Sequence, residues 1–161
     1  MTEELVTLET AKVLKEKGFK EDVSVFYELV CEEGSYEYEL FESYDAQNYN
    51  ASVYSFSAPT QYIVQKWLRE TKNLQIEIYR SAVGYGYAIV KSDNGTWQED
   101  DDSRGPNDGG LWDTYEEALE AGIQEALKTY MKMTPIVNDA YRLRKFLEKA
   151  TGIKVINQIY F

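Results

Sequence analysis

The densest run of chemically capable side chains lies between Glu99 and Asp108, where E-D-D-D-S-R-G-P-N-D offers Glu99, Asp100, Asp101, Asp102 and Asp108 beside Arg104. Hard cations take oxygen ligands from flexible loops, so Glu99, Asp101, Asp102 and Asp108 are the weak candidates for a calcium or magnesium site. A solvated acidic loop is the competing reading. An ordinary EF-hand is excluded: a loop starting at Asp101 places Pro106 where glycine must make the turn. Trp97 and Trp112 flank this stretch. If the loop folds back, both indoles come near its base, beside Tyr85, Tyr87, Arg104 and Asn107. The indoles there either pin the loop or stack a base while loop amides and Arg104 hold a phosphate.

Other chemistries find little support. Histidine, the commonest general base and metal ligand, is absent from all 161 residues. No segment matches G-x-x-x-x-G-K-[ST]; the glycines at 105 and 110 have that spacing but continue to Leu111-Trp112. Gly84-Tyr85-Gly86 runs into a strand rather than a dinucleotide-binding turn. The acidic pairs Glu32-Glu33, Glu37/Glu39 and Glu116-Glu117 include none that stands out as a glycosidase pair. No S-x-x-K stretch opens a helix in a supporting context. We therefore expect neither a catalytic residue nor a cofactor. Cys31, the single cysteine, lies in an apolar alternating stretch and reads as a structural thiol.

These residues need elements to position them. Leu8, Ala11 and Leu14 share a face, predicting a helix from Thr7 to a stop at Gly18-Phe19. Val23 to Glu32 and Tyr36 to Tyr44 read as a hairpin turning at Gly34-Ser35, and a third strand falls near Ser52 to Phe56. Pro59, with Ser57 or Thr60 as cap, opens a helix carrying Ile63, Val64, Trp67 and Leu68. Leu74, Ile76 and Ile78 alternate as a strand, Tyr85 to Ser92 forms another, and Asp93-Asn94-Gly95 turns the chain into a strand from Thr96-Trp97. Glu99 to Gly110 is the longest loop. Thr114-Tyr115-Glu116-Glu117 matches a capping box, opening a helix to about Met131 whose Ala118, Gly122 and Ala126 permit close approach to a sheet.

Strands cluster in hairpins rather than alternating with helices, so the expected fold is α+β: a mainly antiparallel sheet with amphipathic helices packed on one face. Residues 1–132 form the core domain, and 133–161 form a helix-strand extension packed on it. The spacing of Phe146-Leu147, Ile153 and Val155 repeats that of Trp67-Leu68, Leu74 and Ile76 at an offset of 79 residues, which fits a duplication or a coincidence equally. No apolar run reaches the ~18 residues that span a bilayer, and the start of the chain is acidic, so a cytoplasmic location is expected.

Three stretches, L-V-T-L-E-T-A-K-V-L-K-E-K-G-F (Leu5 to Phe19), S-A-P-T-Q with Q-K-W-L-R-E (Ser57 to Glu70) and T-Y-E-E-A-L-E-A-G-I-Q-E-A-L-K (Thr114 to Lys128), resemble a family of small acidic proteins common in Bacteroidetes genomes, prophages and phages. The chain departs from that pattern at Thr71-Lys72-Asn73, where relatives often carry a histidine, and past Met133. The resemblance implies an accessory or host-interaction role.

Seventeen basic against 28 acidic residues give a formal charge of −11, which repels nucleic acid and anionic membranes and favours a host protein with a basic surface. Fourteen tyrosines supply rigid amphipathic contact area. The leading expectation is a non-catalytic protein-interaction module, with a possible anti-defence role, that uses the acidic loop and exposed tyrosines. The alternatives are a nucleotide-sequestering protein with its pocket at Trp97 and Trp112, and an assembly protein or homodimer paired through the terminal strand Ile153 to Phe161.

Overall fold

The computed structural model describes residues 3–32, 34–91, 97–100 and 105–133, with backbone alone at 97–100 and 129–133. Helix α1, Leu8–Glu16, begins where the Thr7 hydroxyl accepts from the Thr10 N–H. It ends at Gly18, whose φ of +81° suits glycine. There the Phe19 N–H donates to Leu14 O and the Gly18 N–H to Lys15 O, the paired bonds of a Schellman stop. Thr60, rather than Ser57, caps α2, Gln61–Lys72, and Asn73 closes it in the left-handed region at φ +56°.

Strands β1, Val23–Glu32, and β2, Ser35–Gln47, form the expected hairpin, with Ser35 paired with Glu32 inside β2 rather than lying in the turn, and β3, Ser55–Ser57, pairs with the other edge of β1. Extra residues in β2 between the Val23↔Gln47 and Val25↔Glu42 pairs make a bulge, and the strand runs further than Tyr44 because pairing resumes past it. Strands β4, Leu74–Arg80, β5, Tyr85–Lys91, and β6, Trp97–Asp100, form a second antiparallel sheet in that order. The fold is α+β, and among the described residues the strands pair antiparallel in two three-stranded sheets.

Helix α3, Tyr115–Met133, opens on the expected capping box: the Glu117 N–H donates to Thr114 Oγ1 and the Thr114 N–H to Glu117 Oε2, each at 3.1 Å. Gly122 sits where an added Cβ would lie 2.9 Å from Ile76 Cγ2 and 3.2 Å from the Tyr87 ring, so α3 rests directly on β4 and β5. Leu14, Phe19, Val64, Leu68, Leu74, Ile76, Tyr87, Ile89, Ile123 and Leu127 fill the core, and Phe19 meets Trp67 edge-on at 5.5 Å. Leu5 and Val6 run antiparallel to Pro59 and Thr60, and the Tyr27 hydroxyl donates to Val6 O, joining the N-terminal segment to β1.

The chain divides into Met1–Leu127 and Lys128–Phe161. The expected extension over 133–161, its 79-residue repeat and its terminal strand lie, apart from Met133, outside the described residues. Among the described residues no helix is long and apolar enough to cross a membrane.

Candidate functional site

The aromatic cluster expected around the acidic loop is assembled only in part. Tyr85 and Trp112 exchange backbone hydrogen bonds at 2.8 and 2.9 Å. The Trp112 ring lies 5.5 Å from that of Tyr87, and Tyr85 meets Tyr115 edge-on at 6.3 Å with the Arg80 guanidinium 4.7 Å above its ring. Asn107 ties the turn below: its side-chain amide donates to Asp113 Oδ1 at 2.7 Å and its N–H to Leu111 O. Trp112 thus joins β5 through its backbone, while Asn107 braces the turn that precedes it on Leu111 and Asp113.

One expected member is buried within this cluster and another lies away from it. Tyr87 is only 1% exposed, a core residue beneath α3 and out of reach of a ligand. Trp97 pairs with Lys91 while Trp112 pairs with Tyr85, at opposite ends of β5, so the two backbones stand roughly 20 Å apart by strand rise. Glu99 belongs to β6, paired with Ile89, rather than to the loop. Asp108 lies exposed in a short 3-10 turn, whereas Asp101, Asp102 and Arg104 lie outside the described residues. Among the described residues no group of three metal-ligating side chains converges.

Trp112 instead borders a hollow of about 580 Å³ lined by Glu4, Thr7, Gln61, Glu117, Glu120 and their neighbours, none of the described lining residues basic. Glu120 is its hub. One carboxylate oxygen accepts from the Thr7 N–H and hydroxyl and from Thr10 Oγ1 at 2.6 Å, and the other accepts from Gln61 Nε2. Its bonds tie α3 to the start of α1 and α2. The Tyr27 phenol is pushed above its ordinary value by burial first and by the Glu120 and Glu9 carboxylates next. Burial lowers the Lys15 ammonium, which donates to Ser52 O and Ser55 O and sits 4.7 Å over the Phe56 ring.

A second accessible surface lies on the β1–β2 hairpin. Alternation gives it two faces. On one, Phe26 pairs with Phe41, Glu28 with Glu39, Val30 with Glu37 and Glu32 with Ser35. Phe26 stacks on Tyr49 at 3.8 Å, closing the lower half; the upper half is a hollow of about 660 Å³ lined by Val30, Glu32, Ser35, Glu37 and Glu39. Glu28 directly opposite Glu39 is an unfavourable like-charge pair. On the other face Tyr38 tilts against Phe56 at 5.2 Å under the Lys12 ammonium, while Tyr36 is 69% and Leu40 49% exposed. Phe41, Tyr44, Val53 and Tyr54 are exposed nearby. Neither β1 nor β2 contains a lysine or arginine. Cys31, expected to be buried, is exposed opposite Tyr36, because the far end of the hairpin projects past the core.

Sequence reasoning found the hairpin but not its exposure. The usable signal was the alternation of tyrosine with glutamate in β2, which leaves its glutamate face unsuited to a core. No family model, curated protein or solved structure matches the chain.

Proposed function

We propose that the chain is a non-catalytic, cytoplasmic protein-interaction module that occupies a partner with a basic surface. The observation that supports this best is the β1–β2 hairpin: Tyr36 and Leu40 stand exposed on one face, Glu28, Glu37 and Glu39 line the other beside the exposed Phe41, and neither strand carries a cation. Exposed apolar groups set among charge of one sign are the composition of a docking surface. The absence of histidine from the chain weighs against general acid–base catalysis, and the acidic lining beside Trp112 weighs against a phosphate-bearing ligand. The family resemblance makes the partner a bacterial host protein and a phage or mobile element the source.

Native mass spectrometry before and after incubation with bacterial lysate tests this. The expected result is a protein-sized mass increment that the Tyr36→Ser/Tyr44→Ser double variant loses while remaining folded. A sub-kilodalton adduct retained by that variant would replace the module with a ligand-sequestering protein.

A further inference from the structure

We propose that the partner is bound as an added β-strand on the outer edge of β2, and that it is an extended segment alternating basic with apolar residues. The inference rests on the chain being a protein-binding module and specifies how that module makes contact.

The hydrogen-bond directions of β1 identify the free edge. The Leu29 N–H donates to Tyr54 O and Val25 O accepts from the Ala58 N–H, so odd-numbered residues of β1 turn their backbone groups towards β3. Even-numbered residues then face β2, and their partners Ser35, Glu37, Glu39 and Phe41 spend their backbone groups inward. Tyr36, Tyr38, Leu40 and Glu42 are left with N–H and C=O groups directed outward, and no strand pairs with that edge among the described residues.

Unpaired edges of this length recruit strands, and natural proteins usually blunt them with lysine, proline or brevity. The bulge past Glu42 ends the regular register; the stretch from Ser35 to Glu42 has no lysine or proline, and its carboxylates Glu37, Glu39 and Glu42 guard the edge against an acidic strand but not against a basic one. An added strand would lie about 4.8 Å away, with its side chains alternating between the two faces. On one face they meet Glu37 and Glu39, whose neighbours Glu28 and Glu32 add like charge; on the other they meet Tyr36, Tyr38 and Leu40. A second copy of β2 would bring Glu37, Glu39 and Glu42 against their own kind. Charge therefore selects a basic strand over self-pairing, and the alternation selects lysine or arginine at every second position.

The probe is a synthetic heptapeptide alternating lysine with valine, compared with one alternating glutamate with valine, added to the full chain. Binding is followed by fluorescence anisotropy and by amide hydrogen exchange. The lysine peptide is expected to bind, the glutamate peptide not, and the amides of Tyr36, Tyr38, Leu40 and Glu42 to gain protection. Leu40→Pro removes one outward N–H at a position where edge strands tolerate proline, and should weaken binding about tenfold. Leu40→Ala, which keeps the N–H, should weaken it no more than about threefold.

Peptide bound without new protection of those four amides would overturn strand addition, a result that needs no variant to fold. It would leave the module standing if Tyr36→Ser/Tyr44→Ser still lost the partner. Equal binding of the glutamate peptide would overturn the charge selection. A wild-type dimer that Leu40→Pro splits into monomers would assign the edge to a second copy instead.

Discussion

Tyr27 joins strand and N-terminal segment through a single hydroxyl, 3.0 Å from Val6 O, and that bond needs the phenol protonated. Burial, with Glu120 and Glu9 nearby, raises its pKa, so the folded chain holds this proton more tightly than the unfolded one. Below the unfolded value of about 10 both states carry it and its contribution is intact. Above that, the unfolded state gives up the proton first, so stability falls as pH rises towards and through the folded value. Tyr27→Phe has no proton to lose. At neutral pH it should be less stable by about 1 kcal/mol for the missing hydrogen bond. Between about pH 9 and about pH 11 its urea midpoint should decline less steeply than that of the wild type. Parallel declines would show that alkaline loss arises at other groups.

At the scale of elements, α3 meets its sheet through Gly122, and two effects there oppose each other. Alanine in a helix interior is favoured over glycine by about 1 kcal/mol. A Cβ at 122 would stand 2.9 Å from Ile76 Cγ2 and 3.2 to 3.3 Å from Tyr87, a buried ring backed by Trp112, so neither neighbour yields freely. Overpacking of this kind costs about 1 to 3 kcal/mol, and the contact should win. Gly122→Ala is expected to lower unfolding free energy in urea by about 1 kcal/mol, and the loss should shrink in an Ile76→Ala background. A more stable Gly122→Ala would mean that the helix shifts outward without penalty. The stripe containing Gly122 was legible in the sequence because helix periodicity and caps are local: Thr7, Thr60 and Thr114 all begin helices through hydroxyls that accept from nearby N–H groups. Strand pairing is not local. That Trp97 and Trp112 occupy opposite ends of β5 depends on which residues each pairs with, and their shared proximity to one loop in sequence carries no such information. The hairpin was legible from alternation, yet how far it projects past the core was not. Cys31 therefore looked buried, and no tyrosine of the hairpin was singled out among the candidate binding residues.

Taken whole, the molecule carries a formal charge of −11. The ion pair Lys66–Glu70 is exposed and long at 4.0 Å, while Lys12, Lys15, Lys72 and Arg80 rest over aromatic rings. Salt shortens the reach of charge from about 30 Å at 0.01 M to under about 10 Å above 0.1 M. For the chain alone, screening removes more repulsion than attraction, so the melting temperature should rise by a few degrees, about 2 to 5 °C, between about 10 mM and about 500 mM sodium chloride. Binding of the alternating lysine peptide draws on the same charge with the opposite sign, and its affinity should fall severalfold over that range. The two measurements belong together, because a salt-induced loss of structure would lower both. Stability rising while affinity falls assigns the salt effect to the interface. If the affinity instead stays constant as the melting temperature climbs, the carboxylates of the hairpin serve solubility alone, and recognition at β2 must come from its tyrosines and its backbone edge.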